Sequence, residues 1–387
     1  MPDRIRIAFV DHTAVLSGGE VALANLTATI NRDRWEAVAI LGGQGALIER
    51  LESEGDHVEV LALPPSLARI RQGQIRVGSM LHPLRAFAGF SYAIKLVRRF
   101  KALDVQLIHA NSLRSCILAG VAGRLAGIPV VWQIHSVVGS PLMSRTGLRL
   151  LRRAARVLPS HIICNSRTTA ADFDVPADRL TIIPCGVDSR RFVPNGLAPH
   201  PFARIGMIAR FAPLKGQHLL VEAAKQVVRR HPQAQFVLAG TPLFGEEVYA
   251  QEVQETAQRA LRRQVRFPGF VEDVPALLRD LDIVVNPSTV PEGFGQAIVE
   301  AMMAGKPVIA SALGGPVDVI EDGVTGRLIP ADNATALAEA IDDLLADPAA
   351  AAEMGRRGRL RAVERYELRA TTRSIEHVYE KVLGRHH

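Results

Sequence analysis

The sequence predicts an α/β protein with two doubly wound parallel domains, and three observations support this prediction. The 387 residues exceed the length of one ordinary domain, so two domains of about 190 residues each are expected. Short apolar runs alternate with helical stretches along most of the chain, as in parallel sheets whose strands are joined by crossover helices. Hydrophobic residues make up 48% of the chain, which is enough to fill two cores.

The apolar runs divide into two groups. Those that we predict to be strands are residues 5–10, 37–41, 58–63, 105–109, 130–134, 161–164, 180–183, 203–209, 235–239, 264–267, 282–286, 307–310 and 327–329. A Pro-rich stretch, residues 188–201, lies between the seventh and eighth runs and predicts an interdomain linker. The predicted domains are residues 1–190 and 191–367, and a last helix within residues 368–387 is expected to return to the first domain.

Composition argues against several classes of protein. No apolar run reaches about 18 residues, so no transmembrane helix is expected. The N-terminus leads directly into a predicted strand, so no signal peptide is expected. Cys116, Cys164 and Cys185 show no metal-binding spacing and are interpreted as buried thiols in a reducing cytosol. Aromatic residues are only 5% of the chain and form no stacking platform for bases, so a nucleic-acid partner is not expected.

Residues 291–307 carry the densest pattern in the chain. A predicted strand leads into a turn containing Gly293 and Gly295, which opens a helix. Backbone amides at such a turn attract an anion, and the helix dipole adds to that attraction. Glu292 lies in the turn, and Glu300 lies about two turns into the helix on roughly the same face. A phosphate site flanked by two carboxylates suits a nucleotide sugar.

The spacing of these two glutamates resembles the E-x7-E motif of glycosyltransferase family 4 (group 1). The context is similar too, with Asn286-Pro-Ser288 before the motif and Gly-Phe-Gly between its glutamates. The resemblance implies a retaining enzyme of GT-B fold, in which two Rossmann-like domains face a cleft. It also implies that Glu300 binds the donor ribose hydroxyls and that Glu292 binds the donor sugar. The turn that would hold the diphosphate through backbone amides comprises Gly293, Phe294, Gly295 and Gln296.

Further donor-binding candidates follow the first strands of the C-terminal domain. Arg210 and Lys215 lie in a turn after a predicted strand, and the matching residues of the family bind the donor diphosphate. Two fixed cations there would neutralise the leaving group and make a metal unnecessary. Gly240 ends the next strand and would let the backbone approach the nucleotide. Val271 lies in a segment similar to the one with which family members contact the base through backbone groups.

The N-terminal domain offers candidates at the ends of its strands, where ligand groups gather in open parallel sheets. Gly18 and Gly19 are predicted to form a turn before a helix that starts at Val21, and they resemble the family's Gly-Gly loop, which faces the cleft. A tight turn without a ligand remains the alternative. Asn111, in His109-Ala-Asn-Ser112, ends one strand. His135 ends another and matches the histidine that family members place near the sugar ring.

Positive charge is concentrated in the N-terminal domain. Residues 60–160 contain 15 Arg and Lys against a single acid, Asp104. Residues 64–100 mix arginines with large apolar residues, and residues 144–156 form a basic amphipathic helix candidate. We interpret the region as a surface for anionic lipid headgroups or for an anionic acceptor. The alternative is a solvated Arg-rich face that only aids solubility.

These features together predict a retaining, metal-independent hexosyltransferase that needs no cofactor. It would move a sugar from a nucleoside-diphosphate sugar to a lipid-linked or glycolipid acceptor during cell-envelope polysaccharide synthesis. The protein would be cytoplasmic and peripheral on the inner face of the cytoplasmic membrane. The side chains assigned to catalysis through the resemblance are Glu292, His135, Arg210 and Lys215.

Other activities on the same scaffold are the alternatives. A catalytically silent nucleotide-sugar-binding protein would be expected to lack Glu292, Arg210 or Lys215, and all three are present. An epimerase would share the fold. A phosphorylase is disfavoured because no lysine is evident for a pyridoxal cofactor.

Overall fold

The computed structural model describes residues 4–68, 83–139, 143–194, 202–243 and 245–384. These residues divide into two compact units. Unit 1 lies within residues 1–186 and 368–387, and unit 2 comprises residues 187–367. The division falls after Gly186, four residues before the predicted boundary. Part of the predicted linker, residues 195–201, lies outside the described residues.

Unit 1 is built on a parallel sheet. Its described strands are β1 (Ile5–Asp11), β2 (Trp35–Leu41), β3 (His57–Val60), β4 (Leu107–Ala110), β5 (Val130–Ile134), β6 (His161–Cys164) and β7 (Leu180–Ile182). They pair in the order β3-β2-β1-β4-β5-β6-β7. Each strand overlaps a predicted apolar run. The central strands β4, β5 and β6 are fully buried, and strands that are buried on both faces are continuously apolar. The strand order reverses between β1 and β4.

Helices cover both faces of this sheet. The described helices of unit 1 are α1 (Gly18–Thr29), α2 (Ala46–Ser53), α3 (Pro65–Ala68), α4 (Pro83–Ala102), α5 (Leu113–Ala126), α6 (Arg145–Val157), α7 (Arg167–Ala170) and α15 (Leu368–Val382). Alternate strand residues enter two separate core clusters, since successive side chains of a strand point to opposite faces. One cluster packs against α4, α5 and α6, and the other against α1, α2 and α15.

The start of α1 differs from the prediction. The helix begins at Gly18 and not at Val21, so Gly18 and Gly19 form its first turn and are not a loop before it. Ser17 is the N-cap, and the Glu20 carboxylate accepts hydrogen bonds from the Ser17 backbone N–H at 3.1 Å and from the Ser17 hydroxyl. A Glu carboxylate that accepts from the N-cap backbone belongs to a capping box, which stabilises a helix start, and a Ser followed three residues later by Glu is its sequence pattern. The pattern outweighs the weak helix propensity of the two glycines.

The last helix packs within unit 1. Ile375 and Val378 of α15 lie in the core cluster that contains α1. The Tyr379 hydroxyl lies 2.8 Å from His109 Nδ1 in the buried interior. Burial and the charge of a neighbouring histidine lower the pKa of His109 to about 3. His109, predicted as part of a strand-end site element, is therefore a core residue that holds α15, and only the following residues of that element reach the strand end.

Unit 2 is a second parallel sheet covered by helices. Its strands are β8 (Arg204–Ile208), β9 (Gln235–Ala239), β10 (Val265–Gly269), β11 (Ile283–Asn286), β12 (Val308–Ser311) and β13 (Arg327–Ile329). Its described helices are α8 (Gln217–Arg230), α9 (Glu247–Leu261), α10 (Val274–Arg279), α11 (Gln296–Met303), α12 (Pro316–Val319), α13 (Ala334–Ala346) and α14 (Pro348–Tyr366). The strand order is β10-β9-β8-β11-β12-β13, which is the order of a Rossmann sheet. The order reverses between β8 and β11.

Candidate functional site

The candidate donor site of unit 2 lies where its strand order reverses. Chains leaving adjacent strands at such a point turn to opposite sides and open a crevice at the carboxyl ends. Arg210 and Lys215 follow β8, while Ser288 and Glu292 follow β11. The fold therefore brings together two segments that are about eighty residues apart in the sequence.

An ion pair joins the two segments. Lys215 Nζ lies 2.7 Å from Glu292 Oε1, and the Glu292 side chain is only 9% exposed. The Ser288 hydroxyl donates a hydrogen bond to the same carboxylate oxygen and lies 2.9 Å from Asn286 Oδ1. Burial alone would raise the pKa of Glu292, but the Lys215 charge and these hydrogen bonds outweigh it, so the pKa lies below its usual value. Glu292 is a fixed anion in this structure, and Lys215 is its counter-ion.

Arg210 also has a carboxylate partner, which the sequence analysis did not anticipate. Its guanidinium donates to Glu246, the residue that precedes α9. Both side chains are partly exposed, at 23% and 21%. Gln217 holds the turn from the other side, because its amide donates to the Arg210 carbonyl at 2.8 Å. A diphosphate that bound Arg210 would compete with Glu246 for the guanidinium.

The turn before α11 is constrained by its glycines. Gly295 is the N-cap and has φ 93°, a left-handed conformation that only glycine adopts without strain. Phe294 is buried, with its ring against the edge of Tyr366 at 5.5 Å between centroids. The Gln296 amide donates to Glu300 Oε1 at 3.0 Å in the first turns of the helix. The Glu292-to-Glu300 segment thus contains a turn that depends on Gly295, followed by a helix start, where the first backbone amides lack intrahelical acceptors in general.

The remaining predicted donor contacts lie at neighbouring strand ends. Gly240 follows β9 with φ 134°, and a Cβ there would lie 2.0 Å from the Ala209 carbonyl oxygen. Its backbone N–H donates to the Gly269 carbonyl at 2.8 Å. Gly240 therefore allows β9 to run close to the turn that follows β8. Val271 follows β10 and is half-buried. Its position alone does not identify the group that it would contact.

Unit 1 has its own polar cluster, also at the reversal of strand order. Asn111, after β4, donates through Nδ2 to Asp11 Oδ2 at 2.7 Å and to the Gly19 carbonyl at 3.1 Å. Its Oδ1 lies 2.9 Å from His135 Nε2. A Cβ on Gly19 would lie 3.3 Å from the His135 ring. The structure thus brings together Gly19, Asn111 and His135, three of the predicted candidates. Gly18 is exposed beside them at the start of α1.

His135 is held in its neutral form. Burial lowers its pKa to about 4. The other ring nitrogen, Nδ1, lies 3.7 Å from Cys185 Sγ, and burial raises the pKa of that thiol to about 12. Both ring nitrogens therefore face groups of the protein itself. This geometry makes His135 a poor carrier of protons at neutral pH.

Sequence analysis missed two residues of this cluster, Asp11 at the end of β1 and His12 directly after it. Asp11 is buried, and His12 Nδ1 lies 2.9 Å from Asp11 Oδ1 and 2.8 Å from Ser112 Oγ. Burial alone would raise the pKa of Asp11, but its hydrogen bonds to His12 and Asn111 and the charge of His12 lower it overall. The strand-end rule that selected Asn111 and His135 would have selected both residues too.

The residues that the structure describes contain neither a metal-binding cluster nor a membrane-spanning helix. No group of three or more His, Cys, Asp or Glu side chains in them is arranged to hold a metal ion. No helix among them is long and apolar enough to cross a bilayer.

Comparisons with known proteins identify the family. Residues 45–191 match the family described as Glycosyltransferase Family 4, and residues 190–361 match Glycosyl transferases group 1. The GDP-mannose-dependent alpha-(1-6)-phosphatidylinositol monomannoside mannosyltransferase of Mycolicibacterium smegmatis is 29% identical over 72% of this chain and 77% of its own. The UDP-Gal:alpha-D-GlcNAc-diphosphoundecaprenol alpha-1,3-galactosyltransferase of Escherichia coli is 25% identical over 84% of each chain.

Solved structures agree with this assignment. The crystal structure of Anabaena HepE in complex with UDP-glucose has a TM-score of 0.84 and 28% identity, over 98% of this chain and all of that one. The match extends over both parallel sheets of this chain, since it covers nearly all of the residues. The chain therefore belongs to glycosyltransferase family 4 (group 1) and has the GT-B fold, which confirms the family and fold predicted from the sequence.

Proposed function

We propose that the protein is a retaining glycosyltransferase that moves a sugar from a nucleoside-diphosphate sugar to a hydroxyl of a lipid-linked or glycolipid acceptor. The observation that carries the proposal is the buried Lys215–Glu292 pair at the reversal point of the unit 2 sheet. It joins a cation from the turn after β8 to a fixed carboxylate, and that carboxylate lies four residues before α11 with its N-terminal amides. A donor diphosphate and its sugar need those three kinds of group.

In this proposal, each candidate residue has a defined role. Unit 2 binds the donor, with Glu300 on the ribose, Val271 and Gly240 along the nucleotide, and Arg210, Lys215 and the α11 amides on the diphosphate. Glu292 accepts hydrogen bonds from donor sugar hydroxyls. Unit 1 binds the acceptor, and His135 contacts the sugar as a neutral ring. The acceptor oxygen forms its bond to the anomeric carbon on the face that the diphosphate leaves, and the leaving phosphate takes up the electron pair and the acceptor proton.

The acceptor class is supported by the relatives. One acts on a phosphatidylinositol monomannoside and another on a diphosphoundecaprenol-linked sugar, according to their names. HepE was solved with UDP-glucose. These relatives use different donors, so they support a nucleotide-sugar donor in general and leave the base and the sugar to experiment.

A donor and acceptor screen tests the proposal. GDP-mannose, UDP-glucose and UDP-galactose would each be incubated with phosphatidylinositol or GlcNAc-diphosphoundecaprenol in detergent micelles. We expect one donor to be consumed with transfer, and NMR of the product to show that the donor's α configuration is retained. Binding of nucleotide sugars without turnover would favour the silent binding protein, and an epimerised donor formed without acceptor would favour the epimerase.

Arg210 provides a test of metal independence. Arg210→Ala is expected to lower kcat/KM by about 10², because the leaving diphosphate loses a fixed positive charge. EDTA should leave the wild-type rate unchanged. Glu246→Gln is the matched control, since it breaks the same ion pair but keeps the guanidinium. An equal loss in both variants, or a strict requirement for a divalent metal, would contradict this role.

The membrane surface that we propose lies on one face of unit 1. Helices α4 and α6 both pack against the same core cluster, so they cover the same face of the sheet. Leu84, Phe87 and Phe90 of α4 are each more than half exposed. On α6, Arg149 and Arg153 are exposed. Apolar side chains beside arginines suit the interface of an anionic bilayer, and we infer that the protein acts peripherally at the inner face of the cytoplasmic membrane.

Not every arginine predicted for this surface is available. Arg152 donates to the Asp172 carbonyl at 2.7 Å, and Arg156 pairs with Asp174. Both are therefore engaged within unit 1. Arg69, Arg71 and Arg76, which the sequence analysis included in the basic region 64–100, lie outside the described residues.

Liposome cosedimentation tests this surface. Arg149→Gln with Arg153→Gln should weaken binding to anionic liposomes about thirtyfold at low salt, since each basic residue near the bilayer contributes about 1 kcal/mol. Arg229→Gln with Arg259→Gln, two exposed positions of unit 2, is the charge-matched control. If wild-type protein ignores anionic liposomes at low salt, the membrane surface is wrong. A salt-sensitive acceptor KM without liposome binding would indicate an anionic soluble acceptor.

A further inference from the structure

The buried carboxylate of Asp11 binds two side chains through its two oxygens. Oδ2 accepts from Asn111, and Oδ1 faces His12 Nδ1 at 2.9 Å. Each of these side chains continues into a different hydrogen-bond chain. In each hydrogen-bond chain, the groups that can only donate or only accept determine which ring nitrogen carries a proton.

The chain through Asn111 ends on His135. The Asn111 amide nitrogen faces two acceptors, Asp11 Oδ2 and the Gly19 carbonyl, so its oxygen must face His135 Nε2. That oxygen can only accept, so His135 Nε2 carries the proton. Nδ1 then keeps the lone pair, and it faces the protonated thiol of Cys185. Both nitrogens of His135 are used within unit 1.

The hydrogen-bond chain through His12 involves only one nitrogen of its ring, Nδ1. Asp11 Oδ1 is a carboxylate oxygen and can only accept, so His12 Nδ1 carries the proton toward it. Ser112 Oγ lies 2.8 Å from the same nitrogen and accepts from it, since a hydroxyl oxygen keeps its lone pairs when its own proton goes to another acceptor. Among the described residues, no side chain is hydrogen-bonded to His12 Nε2, and the His12 side chain is 23% exposed.

We propose that His12 is an acceptor-binding residue, whose Nε2 pairs with a hydroxyl of the acceptor while Asp11 holds the ring in place. The inference rests on the proposed function, because it assigns a group of unit 1 to the acceptor of that reaction. A hydroxyl suits this position because it both donates and accepts. It can pair with Nε2 as a lone pair in the neutral ring or as an N–H in the charged ring. His135, with both nitrogens engaged, cannot make this contact.

Chemical modification tests the difference between the two histidines without any substrate. Diethyl pyrocarbonate reacts with an accessible, unprotonated imidazole nitrogen. Peptide mapping by mass spectrometry after brief treatment of the wild-type protein at pH 7.5 should find His12 modified at least tenfold faster than His135. Phosphatidylinositol or GlcNAc-diphosphoundecaprenol, whichever accepts sugar, should protect His12. Equal rates at the two positions, or no protection by a lipid that is a working acceptor, would overturn the inference.

Two substitutions at His12 separate a binding role from a structural one. His12→Asn keeps an amide near Nδ1, where it can still donate to Asp11, but removes Nε2. His12→Gln places its amide near Nε2 instead. We expect His12→Asn to raise the acceptor KM about tenfold, the size of one lost hydrogen bond, and His12→Gln to raise it less. His377→Gln, an exposed position on α15, is the control and should match wild type.

The outcomes distinguish this inference from the proposed function. If His12→Gln raises the acceptor KM more than His12→Asn does, His12 serves only as the hydrogen-bond partner of Asp11 and the inference is wrong. An unchanged acceptor KM in both variants also overturns it. If the wild type transfers no sugar to either lipid, the proposed function fails first. Slow modification of His12 by diethyl pyrocarbonate would then refute the inference independently of any transfer activity.

Discussion

Lys215→Ala is expected to lower kcat/KM for the nucleotide sugar by about 10³, the largest single effect predicted for this protein. Loss of one preorganised charge at a developing anion typically costs 10²–10³ in rate. The geometry adds a second effect here, because Lys215 is the counter-ion of Glu292, whose side chain is 9% exposed. Without Lys215, a buried carboxylate would face the donor diphosphate with no cation between them. The measurement is steady-state kinetics with the donor identified by the screen.

Controls for Lys215 separate chemistry from folding. Lys225→Ala removes a lysine of α8 that pairs with Glu222 on the helix surface, and it should change the rate less than twofold. Lys215→Arg keeps the charge with a different shape, so it should recover part of the loss. Thermal denaturation shows whether Lys215→Ala remains folded. A folded Lys215→Ala variant with wild-type kcat/KM would show that the pair is only structural.

The strands of this protein could be predicted because both sheets are parallel and buried. Every run such as Val130–Ile134 or Gln235–Ala239 appears in the structure close to its predicted position. The start of α1 was wrong because Gly18 and Gly19 suggested a turn, whereas the Ser17–Glu20 cap fixes the helix. The Ser17-to-Glu20 spacing is visible in the sequence, and its capping bonds outweigh the turn preference of two glycines.

The contacts inside the two sites could not be predicted from the sequence in the same way. Lys215 and Glu292 meet because β8 and β11 are neighbours, which depends on strand order and not on any local pattern. Arg210 meets Glu246 for a similar reason, through the chain that follows β9. His109 and Asn111 are two residues apart, yet one is in the core and the other reaches the strand end. Which residue terminates a strand decides that difference, and strand ends are the least certain part of any sequence prediction.

Glu292→Gln is expected to reduce kcat by about 10² while leaving the affinity for the nucleoside diphosphate unchanged. The substitution keeps the size of the side chain and can still accept a hydrogen bond from Ser288, so the turn before α11 should keep its path. It removes the charge that would bind sugar hydroxyls more strongly as the anomeric carbon becomes positive. It also releases Lys215, which remains free to hold the diphosphate.

Glu300→Ala supplies the contrast that makes this prediction decisive. Glu300 lies in α11, where Gln296 orients its carboxylate, and its proposed partners are the ribose hydroxyls. Its loss should weaken nucleoside-diphosphate binding by about 1–3 kcal/mol, because hydrogen bonds to a charged acceptor are lost. Isothermal titration calorimetry with UDP and GDP, beside kcat measured at saturating donor, separates the two variants. Since the two carboxylates lie in one segment, an equal loss of nucleotide affinity in both variants would refute the division between sugar and ribose. Loss of turnover in Glu292→Gln alone would instead assign Glu292 to the step in which the sugar leaves its diphosphate.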